Sequence, residues 1–409
     1  MTLPLWIVAL ATVFVVAWLV QMAMHVAVWQ VVMRRARRQK AEAARRIDTT
    51  TGSTERPGVS VLVYTKNEAE ALARNLPVLL SQDYPTYEVI VLDDNSYDET
   101  QDVLQMMDQR SDRLLHAKIG ERTRAMSLRK LAVLLGTKMA HYDIILTTHA
   151  QCAPNSPDWI SGMMSHFANP GVEVVVGPVV YERRTSLVAR FCQFDLFQRL
   201  LLMLDIALTS RAYAGWGQNL AFRKSTFYAN RSQGFQRHLK MQPGEDDLFV
   251  ADVARDGNVA VECRPDSVVT NQSRPLFVNW SMDRLNRGYT SRLYPWSAVV
   301  VKGVDYATRY LTVIPGLALA GYALMRGLAE QGAAAQTWGM LLGAVVTLLL
   351  LRVGMLLLTF VGSARALKQS AFVGWPIVCD LYTPLVDLWF RIKALANSKR
   401  FAVGKVGLQ

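Results

Sequence analysis

From Leu3 to Met33 the chain is almost free of charge, a run longer than the roughly 20 residues a helix needs to cross a bilayer. Directly after it come Arg34, Arg35, Arg37, Arg38, Lys40, Arg45 and Arg46, where the cytosolic flank of an anchor belongs. A cleaved leader would have its basic region before a shorter apolar core, so residues 1–33 read as a retained transmembrane anchor. The net charge of +12 also admits nucleic acid or anionic lipid as partners. Its concentration beside the apolar run favours membrane topology over nucleic acid. Cys152, Cys192, Cys263 and Cys379 show no Cys-x-x-Cys spacing, so a reduced, cytosolic setting fits and a disulfide framework does not.

Residues 34–57 read as a basic flank and linker, because 41–58 are polar and rich in turn formers. Beyond them, Val59–Tyr64 and Glu88–Leu92 are short β-branched runs on either side of a helix-like stretch from Glu68 to Gln82. Strand, helix, strand predicts an α/β domain with a parallel sheet over residues 58–290. A helix is predicted over Ala125–Ala140, and strands over Asp143–Thr147 and Glu173–Val180. Residues 291–409 form a C-terminal membrane region. In it, Tyr310–Met325 and Trp338–Val361 make a helical hairpin, and Ala371–Leu395, broken by Pro376, Asp380, Pro384, Asp387 and Arg391, reads as interfacial or re-entrant. Arg352, deep in the preceding span, is either paired in the bundle or snorkelling.

Two segments put polar residues just past predicted strands, the edge where open α/β sheets bind ligands: Tyr64-Thr65-Lys66-Asn67-Glu68 and Asp93-Asp94-Asn95-Ser96. Carboxylates there suit a nucleobase or a ribose, and they equally suit a turn with a helix cap. Together and in this order the segments resemble family 2 glycosyltransferases of the GT-A fold, a nucleotide-diphospho-sugar transferase fold with a Rossmann-like sheet. The resemblance implies that Thr65 and Glu68 line a nucleotide pocket and that Asp94 or Asp93 recognises the base. It also implies that Lys130 meets the diphosphate, where the plain alternative is a solvated helix lysine.

The segment Thr147-Thr148-His149-Ala150-Gln151-Cys152 resembles the part of the family in which an Asp-x-Asp pair holds a divalent cation. Here His149 and Gln151 stand at the two aspartate positions. An imidazole and a carboxamide bind Mg²⁺ weakly and Mn²⁺ somewhat better, so the metal is held differently, is dispensed with, or the domain is impaired. His149 is either a metal or diphosphate contact or a hydrogen-bonded loop histidine.

The third segment is Gly215-Trp216-Gly217-Gln218-Asn219, followed by Gly234-Phe235 and Gly244-Glu245-Asp246-Asp247. Glycines beside Trp216 let backbone approach a sugar while the indole covers its face, and Gln218 and Asn219 complete the expected acceptor side. An inverting transfer needs a carboxylate to take the acceptor's proton. The family resemblance gives that role to Asp246, with Glu245 and Asp247 beside it; the alternative is an acidic cap on the next helix. Arg284 and Arg287, near Trp280 on a basic amphipathic stretch, would meet the leaving diphosphate or lipid headgroups, or simply be solvated. The Gln-x-x-Arg-Trp signature of processive members is missing there.

These residues imply an inverting, non-processive glycosyltransferase in the cell's inner membrane with a cytosolic catalytic domain. It would use a nucleoside diphosphate sugar, with Mg²⁺ or Mn²⁺ as an open question, and a lipid or lipid-linked acceptor. The competing reading is an impaired GT-A-like subunit that binds a nucleotide sugar or a partner glycosyltransferase. Retention of the acidic triplet favours activity.

Overall fold

The computed structural model describes residues 4–47, 56–120, 127–231, 238, 241–274, 276–369, 372 and 374–401. Residues 48–55 of the expected linker, Gly234, Phe235 and Lys405 lie outside the described residues.

In chain order the first elements are α1 (Leu5–Met24), α2 (Val31–Ile47), β1 (Val59–Thr65), α3 (Ala69–Leu80), β2 (Tyr87–Asp93), α4 (Thr100–Asp108), β3 (Leu114–Lys118), α5 (Leu128–Met139) and β4 (Ile144–His149). Then come β5 (Cys152–Pro154), α6 (Trp159–Met164), β6 (Val174–Val176), β7 (Val179–Tyr181), α7 (Leu187–Thr209), β8 (Leu220–Arg223), α8 (Lys224–Arg231), α9 (Asp247–Val253), β9 (Val259–Val261) and β10 (Val269–Asn271). The chain continues with α10 (Leu276–Thr290), α11 (Trp296–Ala329), α12 (Ala333–Ala366) and α13 (Trp375–Ala396).

Both faces of β1 and β2 are covered, which explains their nearly unbroken apolar runs. Val59, Val61 and Val63 pack with Leu72, Leu76 and Leu79 of α3, while Leu62, with Ile90 and Leu92, packs with Ala132 and Leu134 of α5. The sheet order is β3-β2-β1-β4-β8-β6-β9, and a smaller sheet runs β5-β10-β7. Strands β3, β2, β1 and β4 are parallel, and register brings Thr65 opposite Asp93 and Tyr64 opposite His149. The strand order reverses about β1 and β4, so their C-terminal ends open the crevice where such sheets take ligands.

Sequence and structure differ in three places. The expected single strand Glu173–Val180 is two strands in different sheets, because the chain turns at Gly177 and Pro178. A Cβ on Gly177 would lie 2.4 Å from Asn219 Nδ2. The basic flank is not a free linker either. A short π-helical turn at His25–Trp29 joins α1 to α2, the Val32 N–H donates to Asp205 of α7 at 2.7 Å, and Gln39 holds the outer strand: its Nε2 donates to Val261 O and its Oε1 accepts from Cys263 N. Third, Ala371–Leu395 contains a continuous helix, α13, with Pro376 in its first turn and Pro384 inside it.

Among the described residues, three helical stretches are long and apolar enough to cross a membrane: Leu5–Glu42, Trp296–Ala329 and Ala333–Ala366. Arg352 is paired rather than snorkelling. Its guanidinium lies 2.7 Å from Asp380 of α13, which also faces Arg309 at 3.5 Å; Arg309 in turn meets Asp305 at 2.6 Å. Two positive and two negative groups thus neutralise one another among packed helices.

Replacing Arg352 by Met leaves two carboxylates against one guanidinium and is expected to destabilise the protein by on the order of 3 kcal/mol. Thermal unfolding in detergent measures this, and Asp380→Asn on top of it should restore part of the loss. A single variant that melts with the parent would show that the pair contributes nothing.

Candidate active site

Register alone delivers the first half of the site. Thr65, Asp93 and His149 end three neighbouring parallel strands, and the chain then turns. Asn67 holds a left-handed φ of 52°, a conformation asparagine tolerates. Its N–H donates to Ser96 Oγ at 2.8 Å and its Oδ1 accepts from the Tyr97 N–H at 3.0 Å, locking the β1 and β2 turns together.

The two aspartates of β2 divide their work. Asp93 is wholly buried and serves the turn: Oδ1 accepts from the Ser96 N–H and hydroxyl, and Oδ2 from Gln101. Asp94 accepts from the Tyr64 hydroxyl and from Lys66 Nζ at 3.1 Å, and its Oδ1 has no partner. Thr65 is also buried with an unpartnered Oγ1. Glu68 accepts from the Gln151 amide, and burial still lifts its carboxyl to about 7.

Across the crevice stands the acidic triplet, at the start of α9. Asp246 is the member turned to the cleft. Its Oδ2 accepts from the Gly217 N–H at 2.9 Å and lies 3.4 Å from Arg287, and its Oδ1 accepts from the Asp247 N–H. A helix cap and a cleft carboxylate are therefore the same residue. Glu245, raised by burial, faces Arg129 at 3.3 Å. Asp247 points inward, accepting from Tyr294 OH at 2.6 Å and from Thr290, and burial next to Asp246 raises its carboxyl.

Tyr64, Arg129, Thr147, Thr148, His149 and Asp246 line one cleft. Arg129 is half-exposed and its guanidinium covers the Tyr64 ring at 5.4 Å. His149 sits 6.0 Å from Tyr64, ring to ring. Burial, helped by the Arg129 charge, holds the imidazole down at about 3, so it is neutral near pH 7. A neutral imidazole and a Gln151 amide tied to Glu68 do not make a site for a hard divalent cation. No group of three His, Cys, Asp or Glu side chains able to hold a metal occurs among the described residues.

Several expected residues lie elsewhere. Lys130 is fully buried, neither solvated nor facing the cleft; its ammonium donates to the carbonyls of His238, Met241 and Pro243, and burial lowers it to about 8. It holds the segment leading into the acidic triplet. Asn219 is fully buried too, donating to the Pro178 and Ser267 carbonyls and accepting from Trp159 Nε1, all at 3.0 Å. It joins the two sheets and is not on an acceptor surface. Arg284 is buried against Asp195 and Asp387 and does not line the cleft. Trp216 is only 5% exposed, covered by the Arg287 guanidinium at 5.1 Å, and Gln218 is half-buried beside it.

The residue missed was Arg129. The helical period carries no clear signal for it: Lys130, Leu134 and Thr137 face the core, but so does Gly136, on the same face as position 129.

The sheet is mixed: β3, β2, β1 and β4 run parallel, while β8 pairs antiparallel with β4 and β6, and the polar crevice at the switch point faces an acidic helix start. Residues 60–238 match the family model "Glycosyl transferase family 2", which supports a transferase with an α/β, GT-A-like domain. No curated protein matches the chain. Among solved structures it is similar to the mannosyltransferase PcManGT from Pyrobaculum calidifontis, in complex with GDP-Man and Mn2+, at 18% identity and a TM-score of 0.47, over 90% of this chain and 98% of that one. It is also similar to S. aureus TarS at 15% identity and a TM-score of 0.38, over 56% of this chain and 40% of that one.

Two measurements test these assignments. Asn219→Ala strands the Trp159 N–H and two carbonyls and is expected to lower stability by about 1–3 kcal/mol, read by thermal unfolding. Glu68 binds its proton more tightly folded than unfolded, so its contribution is full below about pH 4.5 and is lost as pH rises through about 7. Glu68→Gln should flatten the fall in melting temperature across that window; an unchanged slope would remove Glu68 as its source.

Proposed function

We propose that this chain is an inverting glycosyltransferase that moves a sugar from a nucleoside diphosphate donor to a membrane-associated acceptor, a lipid or a lipid-linked glycan. What carries the reading is Asp246: a cleft carboxylate fixed by the Gly217 N–H, opposite the ends of β1, β2 and β4. On this reading Thr65, Glu68 and Asp94 take the nucleotide. The free Oδ1 of Asp94 and Oγ1 of Thr65 are hydrogen-bonding positions a ligand would fill.

Asp246 accepts the acceptor hydroxyl's proton while that oxygen bonds to the anomeric carbon. The bond from carbon to the diphosphate oxygen breaks on the opposite face, and configuration inverts. Charge on the departing diphosphate is met by Arg129 and the N-terminal turn of α5, since the donor set at His149 and Gln151 does not fit a divalent cation. Arg287, over Trp216 and against Asp246, orients the base on the acceptor side.

The three apolar helical stretches would hold the cleft beside the bilayer on its cytosolic face, in the inner membrane, where the basic run after the first span belongs. So few spans leave little material for a polymer channel, which favours single transfers. The departure at His149 and Gln151 supports the second reading, an impaired subunit that binds a nucleotide sugar or a partner enzyme.

A panel of nucleotide sugars, offered to the purified chain in detergent with Mn²⁺ or with chelator, separates the two. Turnover of at least one donor that persists in chelator is expected. Asp246→Asn should lower kcat by about 10²–10⁴-fold with donor binding retained, and Arg129→Gln by about 10²-fold. Donor binding without turnover would favour the impaired subunit, and no binding under either condition would sink both readings.

A further inference from the structure

Helix α12 runs in the same direction as α1 and α2, and the two stay in register along their length. Trp18 Nε1 donates to Leu348 O at 2.7 Å, Gln30 Nε2 reaches Thr359 Oγ1 at 3.3 Å, and a Cβ on Gly362 would lie 2.6 Å from Met33 Sδ. Both change character at that last contact. Beyond Met33 the first helix carries its basic run, and beyond Gly362 the other carries Arg365 and Lys368.

Just there the helices part around a cavity of about 580 Å³, within the ~300–1,000 Å³ of ordinary ligand sites. Leu358 and Val361 form its apolar side, while Arg37, Lys40, Arg365 and Lys368 line the other. Lys368 is paired with Asp266 at 2.8 Å. Arg37, Lys40 and Arg365 have no carboxylate within ion-pair distance among the described residues. Among the described residues the lining of the groove holds no acidic side chain, so these three cations are uncompensated there.

We propose that this groove binds an anionic phospholipid, with its phosphodiester on Arg37, Lys40 and Arg365 and its acyl chains along Leu358 and Val361. The inference rests on the reading that these helices span a bilayer. Within it, the apolar-to-basic boundary of both helices falls at headgroup depth. A soluble phosphate would leave the apolar side wet, and a zwitterionic headgroup would bring a cation into a cationic site. The groove shares no lining residue with the cleft, so the lipid is a fixed component of the fold and not the acceptor. It would bridge α12 to α2, the helix whose Gln39 holds the sheet.

The test places the full chain in nanodiscs of mixed phosphatidylglycerol and phosphatidylcholine and counts co-released lipid by native mass spectrometry. One retained phosphatidylglycerol is expected. Arg37→Gln with Arg365→Gln should lower its retention by about 30-fold, and Val361→Trp, which fills the groove without changing charge, should also displace it. Arg34→Gln with Arg38→Gln removes equal charge from the same helix outside the groove and should keep it. Equal loss in both double variants, or equal retention of phosphatidylcholine, would overturn the site while leaving the membrane reading standing. A chain that does not enter the discs would overturn both. Lipid retention is read without any transfer assay, so it does not depend on the proposed activity.

Discussion

The contact between Arg284 and Asp195 is the joint on which the rest of the molecule turns. Both groups are buried, and burying a charge is costly unless it is paired. Each therefore recruits further partners. Asp387 of α13 meets Arg284 at 2.9 Å and Lys302 of α11 at 3.3 Å. In the other direction Asp195 lies 3.4 Å from Arg199, Arg199 2.7 Å from Asp283, and Asp283 2.9 Å from Arg287, which ends on Asp246. A ladder of alternating charge thus runs from the apolar helices to the cleft carboxylate. Losing a rung removes one partner from each of its neighbours. The orientation of Asp246 is in this way tied to the seating of α13 and α11.

Much of the architecture was legible because the central strands obey simple rules. The runs at β1, β2 and β4 are apolar on both faces, and helices cover both. What escaped was short or tertiary in origin. Strands β5, β9 and β10 have three residues each, too few for a period, and their existence depends on pairing with distant partners. Helix α7 is buried around most of its circumference, so it has no polar face to betray it. The docking of α2 rests on Asp205 and Gln39, two polar residues whose partners lie more than 170 positions away in sequence.

The site was legible by segment more than by residue. Glu245 and Asp246 of the acidic triplet share one cleft with Tyr64 and His149 at the ends of β1 and β4. Which side chain of each group faces it depends on helical phase and local bonding. Lys130 and Arg129 are adjacent, yet one points to three carbonyls and the other to the cleft. Asn219 lies two positions from Gly217, but the strand start turns it into the layer between the sheets. Arg284 and Arg287 are one helical turn apart, yet Arg284 is buried between Asp195 and Asp387 while Arg287 covers Trp216 and reaches Asp246. Motif reading assigns chemistry to a segment; the burial stripe of the element carrying it decides which residue delivers that chemistry.

Gln39 has a consequence beyond joining α2 to the domain. β9 is the last strand of its sheet, and an outer strand presents unpaired backbone groups to any passing chain. The Gln39 carboxamide imitates a further peptide unit there, donating to Val261 and accepting from Cys263. The helix that continues the first apolar stretch thus covers part of this outer strand's backbone. Residues 58–290 without the first helices would present the Val261 carbonyl and the Cys263 N–H unpaired at the sheet's edge.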